Sequence, residues 1–284
     1  MTDDFADLDL DKLTPPDSGG PPPRNRPPVG LLVAVGVLLV ALGAGYMFLR
    51  RGPSEPSVPA ATAKPSVDAP VQRGEPGEQI VLPPLDETDA LVRQLVDRLS
   101  SHPAVAAWLT TDGLILNFVV VTSRIATGQT PVAELKAVGP IPRFRTRSAR
   151  GDVFIDPSSY RRYDRHAAAV SSLDARGTAR LYATLKPRIA DAYARVGPRD
   201  GEFDAVLERA IIALLEVPVV DGNVALVPHG TVYAFEDEDL QAMTAAQKQF
   251  FRMGPQNVRA VQGKLREMAS ALGIPESRLP PPTK

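Results

Sequence analysis

The chain contains no cysteine in 284 residues, which excludes a disulfide framework, a thiolate metal site, a cysteine nucleophile and a lipid-modified N-terminal cysteine. Histidine is scarce as well. His102, His166 and His229 form no H-E-x-x-H or other short histidine pair, so no metal site is assembled locally and none is expected. The chain also has no excess charge: 32 basic residues face 33 acidic ones, leaving nucleic-acid binding without electrostatic support. Hydrolase, penicillin-binding and P-loop signatures are missing, and the one G-x-G, Gly43 to Gly45, lies inside an apolar run. No cofactor motif is present. No repeat at a period of roughly 20 to 50 residues is visible, which disfavours a solenoid.

What is present first is that apolar run, residues 29–49, VGLLVAVGVLLVALGAGYMFL. At 1.5 Å per residue it covers about 31 Å, enough to span a bilayer core of roughly 30 Å as a helix. It is longer than a signal-peptide core, and the acidic, proline-rich 28 residues before it make a poor signal leader, so an uncleaved anchor is expected. Arg24 and Arg26 before the run are matched by Arg50 and Arg51 after it. Charge therefore does not orient it, but export of a long domain behind a first helix favours a cytoplasmic N-terminus and a periplasmic C-terminal domain. Gly30, Ala34, Ala41 and Gly45 fall on one side of the helix, a small-residue stripe through which two copies could dimerise. Gly and Ala are also simply common in membrane helices.

Around the anchor the chain divides by composition. Residues 1–28 hold six Asp against three basic residues, and many prolines, and read as a disordered acidic tail. Residues 50–84 are a proline-rich linker, whose coil would reach on the order of 30 Å and whose fully extended form at most about 100 Å. Residues 85–275 read as a mainly α globular domain with a minor β-hairpin element, and 276–284 as a second tail. About eight helices and five short strands are expected. Asp86 and Asp89 suggest a capping box, Ser101 an N-cap ahead of Pro103, and 114–127 an apolar central helix closed by Gly128. A short helix is expected over 131–138, then a hairpin turning on Arg150-Gly151-Asp152. Helices follow over 158–173 and 177–196, the latter carrying Pro187, which should kink or break it. Residues 202–216 place Phe203, Val206, Leu207, Ala210, Ile211, Leu214 and Leu215 on one stripe. Two turns, at Asp221-Gly222 and Pro228-His229-Gly230, punctuate a β-rich stretch, and helices over 244–252 and 255–272 close the domain.

Candidate chemistry is sparse. From Arg143 to Arg188 eleven basic residues face four acidic ones. Arg143, Arg145 and Arg147 alternate in extended chain, with Arg161, Arg162 and Arg165 close behind, a set suited to an anionic surface or ligand. Pairing with the acidic run 236–239 would account for the same charges. Asn117 in an apolar run, Lys186 before the in-helix proline, His229 at a turn and Asn257 after a Gly-Pro break are the remaining oddly placed polar residues. Each has an ordinary structural reading: a satisfied core amide, a snorkelling charge, a turn residue and a first-turn helix residue. Carboxylates are plentiful, yet no pair is singled out.

The segments LPPLDETDALV, DGLILNFVVV, LYATLKPRIADAY, VALVPHGTVYAF and QKQFFRMGPQNVRAVQGKLREMA together resemble a bacterial family of single-pass membrane proteins known only as a domain of unknown function. The resemblance covers residues 80–275 and implies a Gram-negative inner-membrane protein with an extracytoplasmic domain. It carries no activity and no catalytic residue. The expected function is a non-enzymatic envelope scaffold or interaction module with a protein partner. An envelope-polymer hydrolase or transferase using unidentified carboxylates, and an anion-ligand sensor, stand as alternatives.

Overall fold

A computed structural model describes residues 77, 80–131, 143–197, 201–230 and 232–282. The apolar run 29–49 with its stripe Gly30, Ala34, Ala41 and Gly45, the N-terminal tail and most of the linker lie outside the described residues, as does nearly all of the helix expected over 131–138. Among the described residues no helix is long and apolar enough to cross a membrane.

Two long buried helices explain the architecture. The stripe of 202–216 forms α7 (Phe203–Leu215), and all seven of its apolar positions are buried, the six larger than alanine each worth about 1.5–3 kcal/mol on transfer from water. Before it runs α6 (Ala175–Val196). Both pack on α3 (Leu114–Ala126) and on α10 (Pro255–Ala271). The central position of α3 follows from apolar residues on most of its sides, with Val119 and Val121 wholly enclosed. Phe118 and Tyr193 each meet Phe203 edge-on at 5.2 and 5.4 Å, which locks α3, α6 and α7 together.

Shorter helices complete the body. α1 (Asp89–Val96) supplies polar staples: the Asp89 carboxylate accepts from the backbone N–H groups of Gly113 and Leu114 and so caps α3 from 24 residues away. The capping box expected at Asp86 does not form, because a 3₁₀ turn over Leu85–Glu87 precedes α1 and Asp86 is drawn to Arg195. α2 (Pro103–Trp108) is capped by the ring Nδ1 of His102, which accepts from Ala104, and not by Ser101. The helix expected over 158–173 divides into α4 (Ser158–Arg161) and α5 (Asp164–Ser171). α8 (Glu238–Ala242), read in the sequence only as an acidic run, is started by the Asp237 cap, and α9 (Ala245–Phe251) by a Thr244–Gln247 capping box.

Pro187 does not break α6, which runs continuously through it. A proline there leaves the Ala183 carbonyl without its helical N–H. Gly77 packs over that point: a Cβ on Gly77 would lie 2.6 Å from the Ala183 carbonyl carbon. From there residues 80–87 run along α6 as a strap, with Arg188 donating to the Leu82 and Pro83 carbonyls and Arg195 pairing with Asp86. Ile80 and Leu82, ahead of the expected domain start at Leu85, pack against the core.

The two expected β regions join into one antiparallel sheet, β1 (Thr146–Ala149), β2 (Asp152–Ile155), β3 (Ala225–His229) and β4 (Val232–Phe235), in that spatial order. Arg150 at φ 57° and Gly151 at φ 94° turn the first hairpin. Of the two later turns only the second joins strands; Asp221-Gly222 merely redirects the exit of α7 toward β3. Among the described residues four strands form, where five were expected. Because β2 pairs antiparallel with β3, placing Val153 opposite Leu226, both hairpin turns lie at the same end of the sheet. At the other end Ile155, Val224 and Leu226 join the core, and Phe235 meets Phe251 edge-on at 5.3 Å.

Candidate functional site

The isolated polar candidates resolve into structural roles. Asn257 is buried on the first turn of α10, and its amide donates to the Met253 and Tyr160 carbonyls and to the Asp164 carboxylate. It rivets α10 to the junction of α4 and α5. Lys186 pairs with Asp204 at 2.6 Å, and the same carboxylate accepts from the Tyr182 hydroxyl, raising that phenol's pKa, which burial raises most. Asn117 is half-buried rather than in the core and donates to the Asp112 carbonyl. His229 is exposed at the end of β3.

The arginines separate. Arg143, Arg145, Arg161 and Arg165 are exposed. Arg145 holds the base of β1 through its backbone, which exchanges hydrogen bonds with the Ser159 hydroxyl. Arg147 lies over the Phe154 ring and donates to Asn223. No ion pair between these residues and the acidic run 236–239 occurs among the described residues, where Asp237 serves instead as the cap of α8.

Arg162 is different. Its guanidinium lies 4.8 Å from the Tyr163 ring and 5.6 Å from the Phe144 ring, and donates to the Tyr163 hydroxyl at 3.0 Å. Gln249 on α9 donates to the same hydroxyl at 3.1 Å. Tyr163 is only 1% exposed, and burial raises its pKa, keeping the phenol protonated. One turn beyond Gln249, on the same side of the helix, stands Arg252, with its guanidinium 5.6 Å from the Phe235 ring. Burial holds Arg252 below the usual guanidinium value and the charge of Arg162 acts in the same direction. Among the described residues no carboxylate pairs with Arg252.

Arg162 thus donates to a protonated phenol whose field Arg252 also feels, with Phe144 and Phe235 as the ring neighbours of the two guanidiniums and Phe144 37% exposed. Trp108 and Tyr163 pack on His166 behind it, at 6.0 and 6.2 Å between ring centroids. The grouping is built to meet negative charge: planar forked donors on aromatic faces, in a place where water screens weakly. Arg162 belonged to the expected anion set; Arg252, Tyr163 and Gln249 did not. The sequence signal for them was faint, a glutamine and an arginine three residues apart in QFFR, reading as an ordinary basic helix end.

Among the described residues no group of His, Asp and Glu side chains is placed to hold a metal. A shallow hollow lined by Tyr160, Pro218, Val220, Phe251, Gly254, Pro255 and Val258 brings no carboxylate with it, so nothing there favours glycosidic chemistry, which needs two.

Residues 114–269 match the family described as "Protein of unknown function (DUF3014)", a narrower span than the resemblance over 80–275. Comparisons with curated proteins and with solved structures give no match.

Proposed function

The chain belongs to the DUF3014 family of proteins of unknown function, and we propose that it is a single-pass bacterial inner-membrane protein whose helical domain works outside the cytoplasm as a partner-binding module. The domain recognises an anionic group on an envelope protein at the Arg162–Arg252 cluster. The observation that carries this reading is Arg252, a largely enclosed cation beside a second cation, with an aromatic ring but no carboxylate as neighbour among the described residues. Burial without a paired carboxylate is costly for Arg252, and an incoming carboxylate or phosphate would remove that cost. The anchor rests on the apolar run 29–49, and the strap along α6 is consistent with a tether that joins the domain there.

A photo-crosslinking residue in place of Phe144, in the full chain in living cells, tests the reading. A discrete protein adduct that disappears with Arg252→Gln supports it. No adduct, or an adduct indifferent to Arg252→Gln, rejects it. A reporter active only outside the cytoplasm, fused after Lys284, tests orientation: an inactive fusion rejects a periplasmic domain.

A further inference from the structure

The far end of the sheet remains to be explained. Burial falls along β3 and rises along β4, so the β3–β4 hairpin projects beyond the helices and exposes both of its sides. Apart from His229, its large exposed side chains are apolar. Val232 is 61% exposed, Val227 39% and Tyr233 40%, and these are three of the six large hydrophobic side chains so exposed among the described residues. By register Val227 and Val232 share the outer face of the sheet with Phe154 and Arg147, while Pro228 and Tyr233 occupy the opposite side of the tip.

Cations border this patch. Arg147 lies on that outer face and Arg150 sits at the neighbouring turn, whereas Arg145, which extends the β1 ladder by accepting from the Asp156 N–H, lies at the base. The acids are fewer at this end. Asp152 stands beside Arg150, Asp156 at the base is engaged by Ser158, and the run 236–239 follows β4 at the base, opposite the two turns. A projecting apolar tip with an aromatic hydroxyl and a margin of arginines has the composition of a surface that rests in a lipid headgroup layer.

We infer that this end of the sheet docks on an anionic bilayer surface, with Val227, Val232 and Tyr233 entering the interface and Arg147 and Arg150 meeting lipid phosphates. The inference rests on the anchor reading for its biological setting, because a chain tethered by residues 50–76 meets its own membrane at high effective concentration. A coil of that length reaches roughly 30 Å and its extended form about 90 Å, so weak docking suffices. A docked sheet would fix which way the Arg162–Arg252 cluster faces.

The cysteine-free chain allows a direct test. Full-length Val232→Cys and, as a control on exposed α10, Ser270→Cys carry an environment-sensitive fluorophore and are reconstituted in phosphatidylcholine vesicles with or without phosphatidylglycerol. Quenching by nitroxide lipids should be several-fold stronger at 232 than at 270, should depend on phosphatidylglycerol, and should fall to the control level with Arg147→Glu and Arg150→Glu combined. Equal quenching at the two sites, or quenching at 232 untouched by charge reversal, overturns the inference. An alkaline carbonate wash separates the two readings. A chain that resists the wash with position 232 unquenched keeps the anchor and loses the docking; one quenched at 232 yet washed away keeps the docking and loses the anchor.

Discussion

Gly77 lies against Ala183 so closely that a Cβ on the glycine would come within 2.6 Å of the Ala183 carbonyl carbon and of the Thr184 nitrogen. Ala183 is the residue whose helical hydrogen bond Pro187 removes. The strap therefore enters the domain at the weak point of α6 and follows it to Arg195. Gly77→Ala should lift the strap, costing about 1–2 kcal/mol and speeding amide exchange over residues 80–88. Arg188→Ala should produce the same exchange pattern, since it removes the donors to Leu82 and Pro83. Unchanged exchange in both variants would contradict the clamp.

Gly254 opens α10 at φ 84°, and a Cβ there would sit 2.4 Å from the Tyr160 ring. Both backbone strain and collision oppose any larger residue. Gly254→Ala should lower stability by roughly 3 kcal/mol, read from the urea midpoint.

Asn257 satisfies two carbonyls and one carboxylate with a single amide nitrogen. Asn257→Ala should cost about 2–3 kcal/mol, and Asn257→Asp at least as much, because it turns a donor toward three acceptors into a fourth acceptor. Equilibrium unfolding of both variants provides the check.

The Asp156 carboxyl is held below its usual value by the hydroxyl and backbone N–H of Ser158, the latter at 2.7 Å. A carboxylate whose folded value is depressed contributes stability above its unfolded pKa, about 3.9. That contribution disappears as pH falls through the folded value. Asp156→Asn should therefore flatten the loss of stability on acidification below about pH 4, while leaving the neutral-pH slope alone. Thermal unfolding followed across that window measures it.

Helices with an uninterrupted stripe were legible in the sequence. α3, α7 and α10 fall within a residue or two of their expected bounds because burial on one face imposes the 3.6-residue period directly. What the chain does with remote partners was not legible. Pro187 signals a break that the packed surroundings of α6 override. Asp89 looks like a cap for its own helix and caps α3 instead. Two hairpins some 70 residues apart give no local sign that β2 will pair with β3. The candidate site shows the same division: Arg162 stood out within a basic run, whereas Arg252 became visible only when folding brought α9 against Tyr163, 86 residues away from Gln249 in the chain.

The central claim, that Arg252 receives an anion, is tested most directly by thermal unfolding of the full chain in inorganic phosphate against chloride at equal ionic strength. A ligand that binds only the folded state raises its melting point. The account predicts that phosphate raises the melting point of the wild-type chain by several degrees and that Arg252→Gln abolishes the increment. The same increment in the variant, or none in the wild-type chain, would contradict it.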